Sequence, residues 1–280
     1  MASSSGVGKQ AAVREQAAPK KQTQPKESDS FVRAIARGFA VIEGLGQPPG
    51  RHTLSEAAQR AGLNRAATRR ILATLVAMKY CASDGRYFQL RPRSLGLGMS
   101  YLNALLFWAH SHRIVESLRD ETSESCALAV LDEDDIVYIQ RWPSRRILSA
   151  NLGVGSRLPA YVVSLGRVML AALPPAELEQ YLARTELRAL TPRTIHDPQA
   201  LRDVLRTVTS EGYAWVDGEL DPAICGMAVP VRNANGTVVA ALSVNTISGT
   251  ITEAGAKRKF LRPLQRAAQE LRMQMPSVPG

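Results

Sequence analysis

The chain reads as an α+β protein of two domains, a winged helix-turn-helix followed by a domain built on an antiparallel sheet, and three observations predict this. Its 280 residues exceed what one hydrophobic core usually organises, and a 45% apolar composition can fill two. Apolar residues recur at helical spacing up to about residue 121, whereas strand-like runs alternate with helical ones from Ser125 onward. The charge is also uneven: residues 1–30 hold 5 basic and 3 acidic residues, 31–93 hold 11 and 3, and 94–280 hold 19 and 19. A net +8 packed into about 60 residues beside a neutral remainder marks a module that docks on a polyanion.

Taken in order, residues 1–29 are rich in Ala, Ser, Gln, Lys and Pro and lack aromatic residues, so they form a disordered tail. With no apolar central region this tail is not a secretory signal, and no run reaches the length of a membrane span. Cys81, Cys126 and Cys225 are odd in number and widely spaced, which fits small buried hydrophobes in a reducing compartment. These features describe a soluble, cytoplasmic protein with no membrane partner.

A winged helix-turn-helix is expected over residues 30–92. Val32, Ile35, Ala36, Phe39, Ile42 and Leu45 recur as the stripe of a first helix, which "GLGQPPG" stops at residues 44–50. Thr53-Leu54-Ser55-Glu56 is a capping box that starts a second helix with Leu54, Ala57, Ala58 and Ala61 inward. Gly62 ends that helix, and Asn64 suits the N-cap of a third. On the third helix Ala67, Thr68, Ile71, Leu72, Leu75 and Met78 fall on one side, while Arg65, Ala66, Arg69, Arg70, Ala73 and Ala77 face the other. Alanines between arginines leave a thin cationic face able to enter a major groove. "YCAS-DG-RYFQL" then reads as a hairpin wing, with Arg86 and Tyr87 placed to reach phosphates or the minor groove. The DNA-contacting set is therefore Asn64, Arg65, Ala66, Arg69, Arg70, Ala73, Arg86 and Tyr87.

Residues 93–121 read as one linker helix, with Leu95, Gly98, Leu102, Leu105, Leu106, Ala109, Val115 and Leu118 apolar, that joins the domains and contributes to a subunit interface. The second domain, residues 122–275, begins with "SCALAVL", the acidic turn "DEDD" and "IVYIQRW". Helical segments follow at about 160–173, 175–184 and 198–211. Strands return in "YAWVD", "ICGMAVPVR" and "TVVAALSVN", and a last helix covers about 253–275.

Enzymatic and metal signals are absent from the sequence. His110 and His112 lie two apart on a helix and do not share a face. "VSLGRV" around Ser164 lacks the glycine of a nucleophile elbow, and "GLGMSY" and "GVGSRL" break the dinucleotide pattern. Asp132 to Asp135 reads as a charged hairpin turn, since a calcium loop needs spaced ligands and a central glycine. No catalytic residue, metal or cofactor is expected.

"GLNRAATRRILATL" at 62–75, "GSRLPAYVVSLGRVMLAAL" at 155–173 and "EGYAWVDGELDPAICGMAVPVRNANGTVVAALSVN" at 211–245, in that order, resemble an IclR-family transcriptional regulator. "ILSANLGVGSRLPAYVVSLGRVMLA" at 147–171 further resembles the branch that controls protocatechuate and 4-hydroxybenzoate breakdown. The resemblance implies a GAF-like effector domain that binds a small carboxylated metabolite. It places the ligand against a helix start at Pro159, Ala160 and Tyr161, near Ser164, with Asp217, Glu219, Ser243 and Asn245 around it. Arg141, Arg157 or Arg167 is the expected partner of the carboxylate. The sequence departs from the family where glycine is usual, at Ala223, and where serine or cysteine is usual, at Gly226; Cys225 lies one residue out of register.

The function expected is that of a ligand-responsive, DNA-binding regulator, a homodimer or homotetramer on a palindromic operator of double-stranded DNA. Two alternatives remain open: an enzyme acting on an aromatic acid, and a sequence-non-specific nucleic-acid binder.

Overall fold

A computed structural model describes residues 30–105, 107–144 and 152–275; the tail expected over residues 1–29, Leu106 of the expected linker and residues 147–151 of the branch resemblance lie outside these. The chain divides into two units between Gly96 and Leu97.

The first unit runs α1 (Arg33–Gly46), β1 (His52–Thr53), α2 (Leu54–Arg60), α3 (Arg65–Ala77), β2 (Cys81–Ser83) and β3 (Tyr87–Leu90). Its boundaries follow from local chemistry. Thr53 Oγ1 accepts from the Glu56 amide while the Thr53 amide donates to the Glu56 carboxylate at 2.7 Å, so two amides at the start of α2 are satisfied. Gly62, at φ +64°, turns the chain in the left-handed region, and Asn64 Oδ1 then accepts from the Ala67 amide to start α3. Val41, Leu45, Ala57, Leu72, Leu75 and Cys81 form the core.

The first helix differs from its expected stripe. Its buried residues are Val41, Gly44 and Leu45, while Ile35 and Phe39 are exposed. Only the C-terminal half of α1 has α2 and β3 to pack against; the other half borders an open groove of about 590 Å³ beside α3. β1 escapes the sequence reading because two residues carry no periodicity, yet it completes a sheet of order β1-β3-β2.

The single linker helix is corrected to two helices, α4 (Leu95–Ala104), which begins two residues before the division, and α5 (Trp108–Thr122) in the second unit. Leu102, Phe107, Ile114, Val115 and Leu118 all join one core. Leu102 and Phe107 are five residues apart, about 140° around a continuous helix, so one straight helix could not bury both on that core. A break between the two helices lets both turn inward.

Six strands form an antiparallel sheet in the order β6-β5-β4-β9-β8-β7, with β4 (Ser125–Asp132), β5 (Asp135–Trp142), β6 (Arg157–Pro159), β7 (Ala214–Asp217), β8 (Ile224–Arg232) and β9 (Val238–Ile247). The tight turn at Glu133-Asp134 joins β4 to β5; Arg157 on β6 pairs with both Asp132 and Asp135, and Arg184 with Asp134, which partly offsets the charge of the acidic run. β6 is a further strand that the sequence reading passes over.

The two faces of the sheet carry different residues. Cys126, Leu128, Val130, Met227, Leu242 and Val244 pack on α5 and on α9 (Glu253–Met273). The opposite face presents Ala127, Ala129, Ala228 and Ala241 to α6 (Ser164–Leu170), beyond which lie α7 (Pro175–Arg184) and α8 (Pro198–Glu211). Small strand residues let α6 approach closely, and Gly166 carries this further: a Cβ there would fall 2.0 Å from the Ala160 carbonyl oxygen. The three cysteines are free and buried, and burial pushes the Cys126 thiol up to about 12 and that of Cys225 to about 11.

Candidate functional site

On the first unit, Asn64, Arg65, Ala66, Arg69, Arg70 and Ala73 are all exposed. Among the described residues, Arg65, Arg69 and Arg70 have no ion-pair partner. The buried side of α3 centres on Thr68, Leu72 and Leu75, which turns the exposed side toward Ala66, Ala73 and Ala77, with Arg69 on one flank and Arg70 on the other. Arg70 also edges the groove beside α1. Met78, expected on the buried side, is exposed because it is the C-cap residue and faces that groove.

The wing is held by its own polar residues. The Asp84 carboxylate accepts from the Tyr87 amide at 2.8 Å and the Arg86 amide at 3.0 Å, and pairs with Arg51. These two amides, and then Arg51, bring its pKa down to about 2. Tyr87 has the Arg51 guanidinium 4.6 Å and that of Arg86 5.2 Å from its ring centroid, so the wing presents cations braced on an aromatic face. Arg51 is a member of this cluster that sequence reasoning missed; its partner Asp84 lies 33 residues away, beyond any local pattern.

On the second unit the eight expected effector residues separate into groups. Pro159 closes β6 against Asp135, and Ala160–Val162 form a short 3₁₀ turn. The helix begins only at Ser164, so the expected helix start at Pro159 to Tyr161 is corrected; Val163, the residue before it, is extended. The Tyr161 hydroxyl donates to the Arg188 carbonyl and accepts from the Arg188 amide, both at 2.9 Å.

Arg167 is likewise corrected as a partner for an incoming carboxylate. It is 2% exposed, its Nη2 lies 2.5 Å from Glu219 Oε2, and its Nε donates to the Tyr161 carbonyl. Burial lowers the Arg167 pKa, and Glu219 opposes that effect. Glu219 also accepts from the Ile195 amide at 2.9 Å, so each expected ligand contact is spent on the other and on the backbone. Arg157 is taken by Asp132 and Asp135, and Arg141 donates to the Leu152 carbonyl.

Asp217 is displaced from the group as well. Its register partner is Cys225, whereas Asn245 pairs with Gly226, so alternation along the strands sets Asp217 on the other face, where it meets Arg193 and Ser248.

Ser164, Ser243 and Asn245 do come together. Gly226 and Ala228 on β8 sit opposite Asn245 and Ser243 on β9, on the face that α6 covers. Asn245 Nδ2 donates to Ser243 Oγ at 2.9 Å. A Cβ on Gly226 would lie 2.3 Å from Asn245 Oδ1 and 3.3 Å from Ser164 Oγ, so the Asn245 amide oxygen takes up the place a side chain at 226 would need, with the Ser164 hydroxyl beside it. Sequence reasoning also passed over the loop between α7 and α8, where Thr191 Oγ1 donates to the Gly218 carbonyl at 2.6 Å and Thr194 Oγ1 to that of Glu219 at 2.7 Å. Isolated threonines in an aperiodic stretch offer no signal.

Comparison with known proteins joins the two halves. Residues 34–85 match the IclR helix-turn-helix domain and residues 99–273 the C-terminal domain of bacterial transcriptional regulator IclR. The chain is 38% identical over 242 residues to the Pca regulon regulatory protein of Pseudomonas putida, covering 86% of this chain and 83% of that one. It is 30% identical over 254 residues to the p-hydroxybenzoate hydroxylase transcriptional activator of Acinetobacter baylyi, covering 88% and 92%. Among solved structures, an IclR homolog from Microbacterium hydrocarbonoxydans complexed with 4-hydroxybenzoate superposes with a TM-score of 0.77 at 26% identity, covering 86% of this chain and 98% of that one.

Proposed function

The chain belongs to the IclR family of bacterial transcriptional regulators, and from that premise we propose that it controls genes of aromatic-acid catabolism in response to a hydroxylated aromatic acid bound in its second unit. The reading places it in the cytoplasm as a homodimer or homotetramer on a palindromic operator, without catalytic activity of its own.

The observation that carries the DNA-binding part is α3 itself: Arg69 and Arg70 flank its exposed face and Arg65 stands exposed at its first turn, all three without an ion-pair partner among the described residues. Guanidinium groups on such a helix can contact phosphates and the guanine edges of a major groove. The effector part is supported by the relatives' pathways and by the 4-hydroxybenzoate bound to the structural neighbour. Ser164, Ser243 and Asn245 are its proposed contacts; Pro159, Ala160 and Tyr161 shape the wall beside them, and Glu219 holds that wall through Arg167.

The test combines selection of bound genomic fragments, footprinting and thermal shift on the full chain. Expected results are a protected, two-fold symmetric site and a melting temperature raised by 4-hydroxybenzoate or protocatechuate. Binding to all duplexes alike at physiological salt would favour the non-specific alternative.

A further inference from the structure

We infer that α3 reads guanine and thymine edges of its operator and neither adenine nor cytosine, because its outward side carries hydrogen-bond donors and methyl groups but offers the bases no acceptor. The inference rests on the reading of α3 as the helix that enters the major groove, and it names the bases read there.

The donors are the arginines. Arg65, Arg69 and Arg70 are exposed, have no ion-pair partner among the described residues, and can only donate. A guanidinium finds its match on guanine, whose N7 and O6 both accept.

The acceptors on this helix are turned elsewhere. Asparagine is a residue type that pairs with adenine, but the pairing needs its amide oxygen to accept from the N6 amino group while its nitrogen donates to N7. Asn64 Oδ1 instead accepts from the Ala67 amide at 2.8 Å to cap α3, which turns that oxygen onto the backbone of the first turn and leaves Nδ2, a donor. Thr68 is buried, and its hydroxyl donates to the Asn64 carbonyl at 3.0 Å. Thr74 Oγ1 donates to the Arg70 carbonyl at 3.0 Å, and the residue lines the groove beside α1. On the wing, the Asp84 carboxylate is held by the Arg86 and Tyr87 amides and by Arg51. Adenine N6 and cytosine N4 are donors in the major groove, and α3 gives them nothing to donate to.

Between the arginines the helix is apolar. Ala66, Ala73 and Ala77 are exposed and lie within about 20° of a common line, with Arg69 about 60° to one side of it and Arg70 about 40° to the other. Side chains this small let the backbone approach the floor of the groove. The apolar group that bases present there is the thymine C5-methyl, and alanine is a residue type that packs against it. The whole of α3 lies within residues 34–85, the segment that matches the IclR helix-turn-helix domain, which makes duplex DNA the ligand for this line of alanines.

The experiment takes an operator enriched by the full-length protein from random duplexes and measures binding at fixed salt as single base groups are removed. Deoxyuridine in place of thymidine removes only the C5-methyl and should weaken binding several-fold at one or more A·T pairs. Replacing guanine by 7-deazaguanine should weaken it about tenfold or more at a contacted G·C pair. Removing the amino group of adenine or of cytosine, with purine or 2-pyrimidinone, should leave affinity within about twofold. Ala66→Gly and Ala73→Gly should each bring the thymine-to-uracil affinity ratio toward one at a position where wild type shows it. Each ratio compares two duplexes on one protein, so a loss of stability in a variant does not mimic this result. A several-fold loss on removing an adenine or cytosine amino group, no loss from deoxyuridine at any A·T pair, or unchanged ratios in both alanine variants overturns the inference and leaves the regulator reading standing. If no sequence is enriched, the specific-regulator reading falls with it.

Discussion

The two units use arginine in opposite ways. On α3 of the first unit Arg65, Arg69 and Arg70 stand exposed without ion-pair partners among the described residues. In the second unit Arg157, Arg167, Arg184, Arg193 and Arg202 are each held by a carboxylate. Most of these pairs are exposed and contribute little to stability, but Arg167–Glu219 is buried, where an unpaired charge is very costly. The difference teaches that cation count alone does not locate a polyanion site; on α3 three exposed guanidinium groups within six residues have no ion-pair partner among the described residues.

The buried pair gives the largest expected effect. Glu219→Ala should destabilise the protein by about 3–5 kcal/mol in urea unfolding, because Arg167 is left charged and unpaired. The double variant Arg167→Met/Glu219→Leu should recover much of that loss. A Glu219→Ala cost below about 1 kcal/mol would place Arg167 with the exposed arginines and break the comparison.

On the opposite side, Arg69→Ala should leave the unfolding midpoint nearly unchanged. It should weaken operator binding by about 1–3 kcal/mol and relax preference at one base position if the side chain reads a base. Gel shifts across a set of operator variants check this, and unchanged affinity would remove Arg69 from the recognition surface.

Asp84 sharpens the comparison at the smallest scale, since its pair with Arg51 is the wing's exposed counterpart of the buried pair. Its folded pKa of about 2 lies below the unfolded value near 3.9, so its contribution is full above about pH 4 and is lost as pH falls toward 2. Melting temperatures of wild type and Asp84→Asn should therefore converge over that interval. A gap that stays constant down to pH 2 would mean that Asp84 acts only through shape.

Much of the first unit is legible in the sequence because its instructions are local. Thr53, Glu56, Gly62 and Asn64 act within a few residues of themselves, and Asp84-Gly85 closes its own hairpin. The second unit is legible as strands and helices but not as a site. Glu219 meets Arg167 across 52 residues and Tyr161 meets Arg188 across 27, and no periodicity encodes such distances. Resemblance names Ser164, Ser243 and Asn245, which the fold brings together, beside Asp217 and Glu219, which it does not, because resemblance cannot tell a carboxylate that faces a ligand from one that faces an arginine. Ile35, Phe39 and Met78 mark a further limit, for a wheel predicts a stripe without saying whether a neighbour covers all of it.

The contact between Gly166 and the Ala160 carbonyl has a consequence for genetics. Any replacement at 166 must push α6 off the turn that precedes it, so a screen for mutants blind to inducer will collect changes at this codon. Such alleles would mimic loss of sensing while reporting a bent scaffold, and soluble yield in the cell is the observation that tells the two apart.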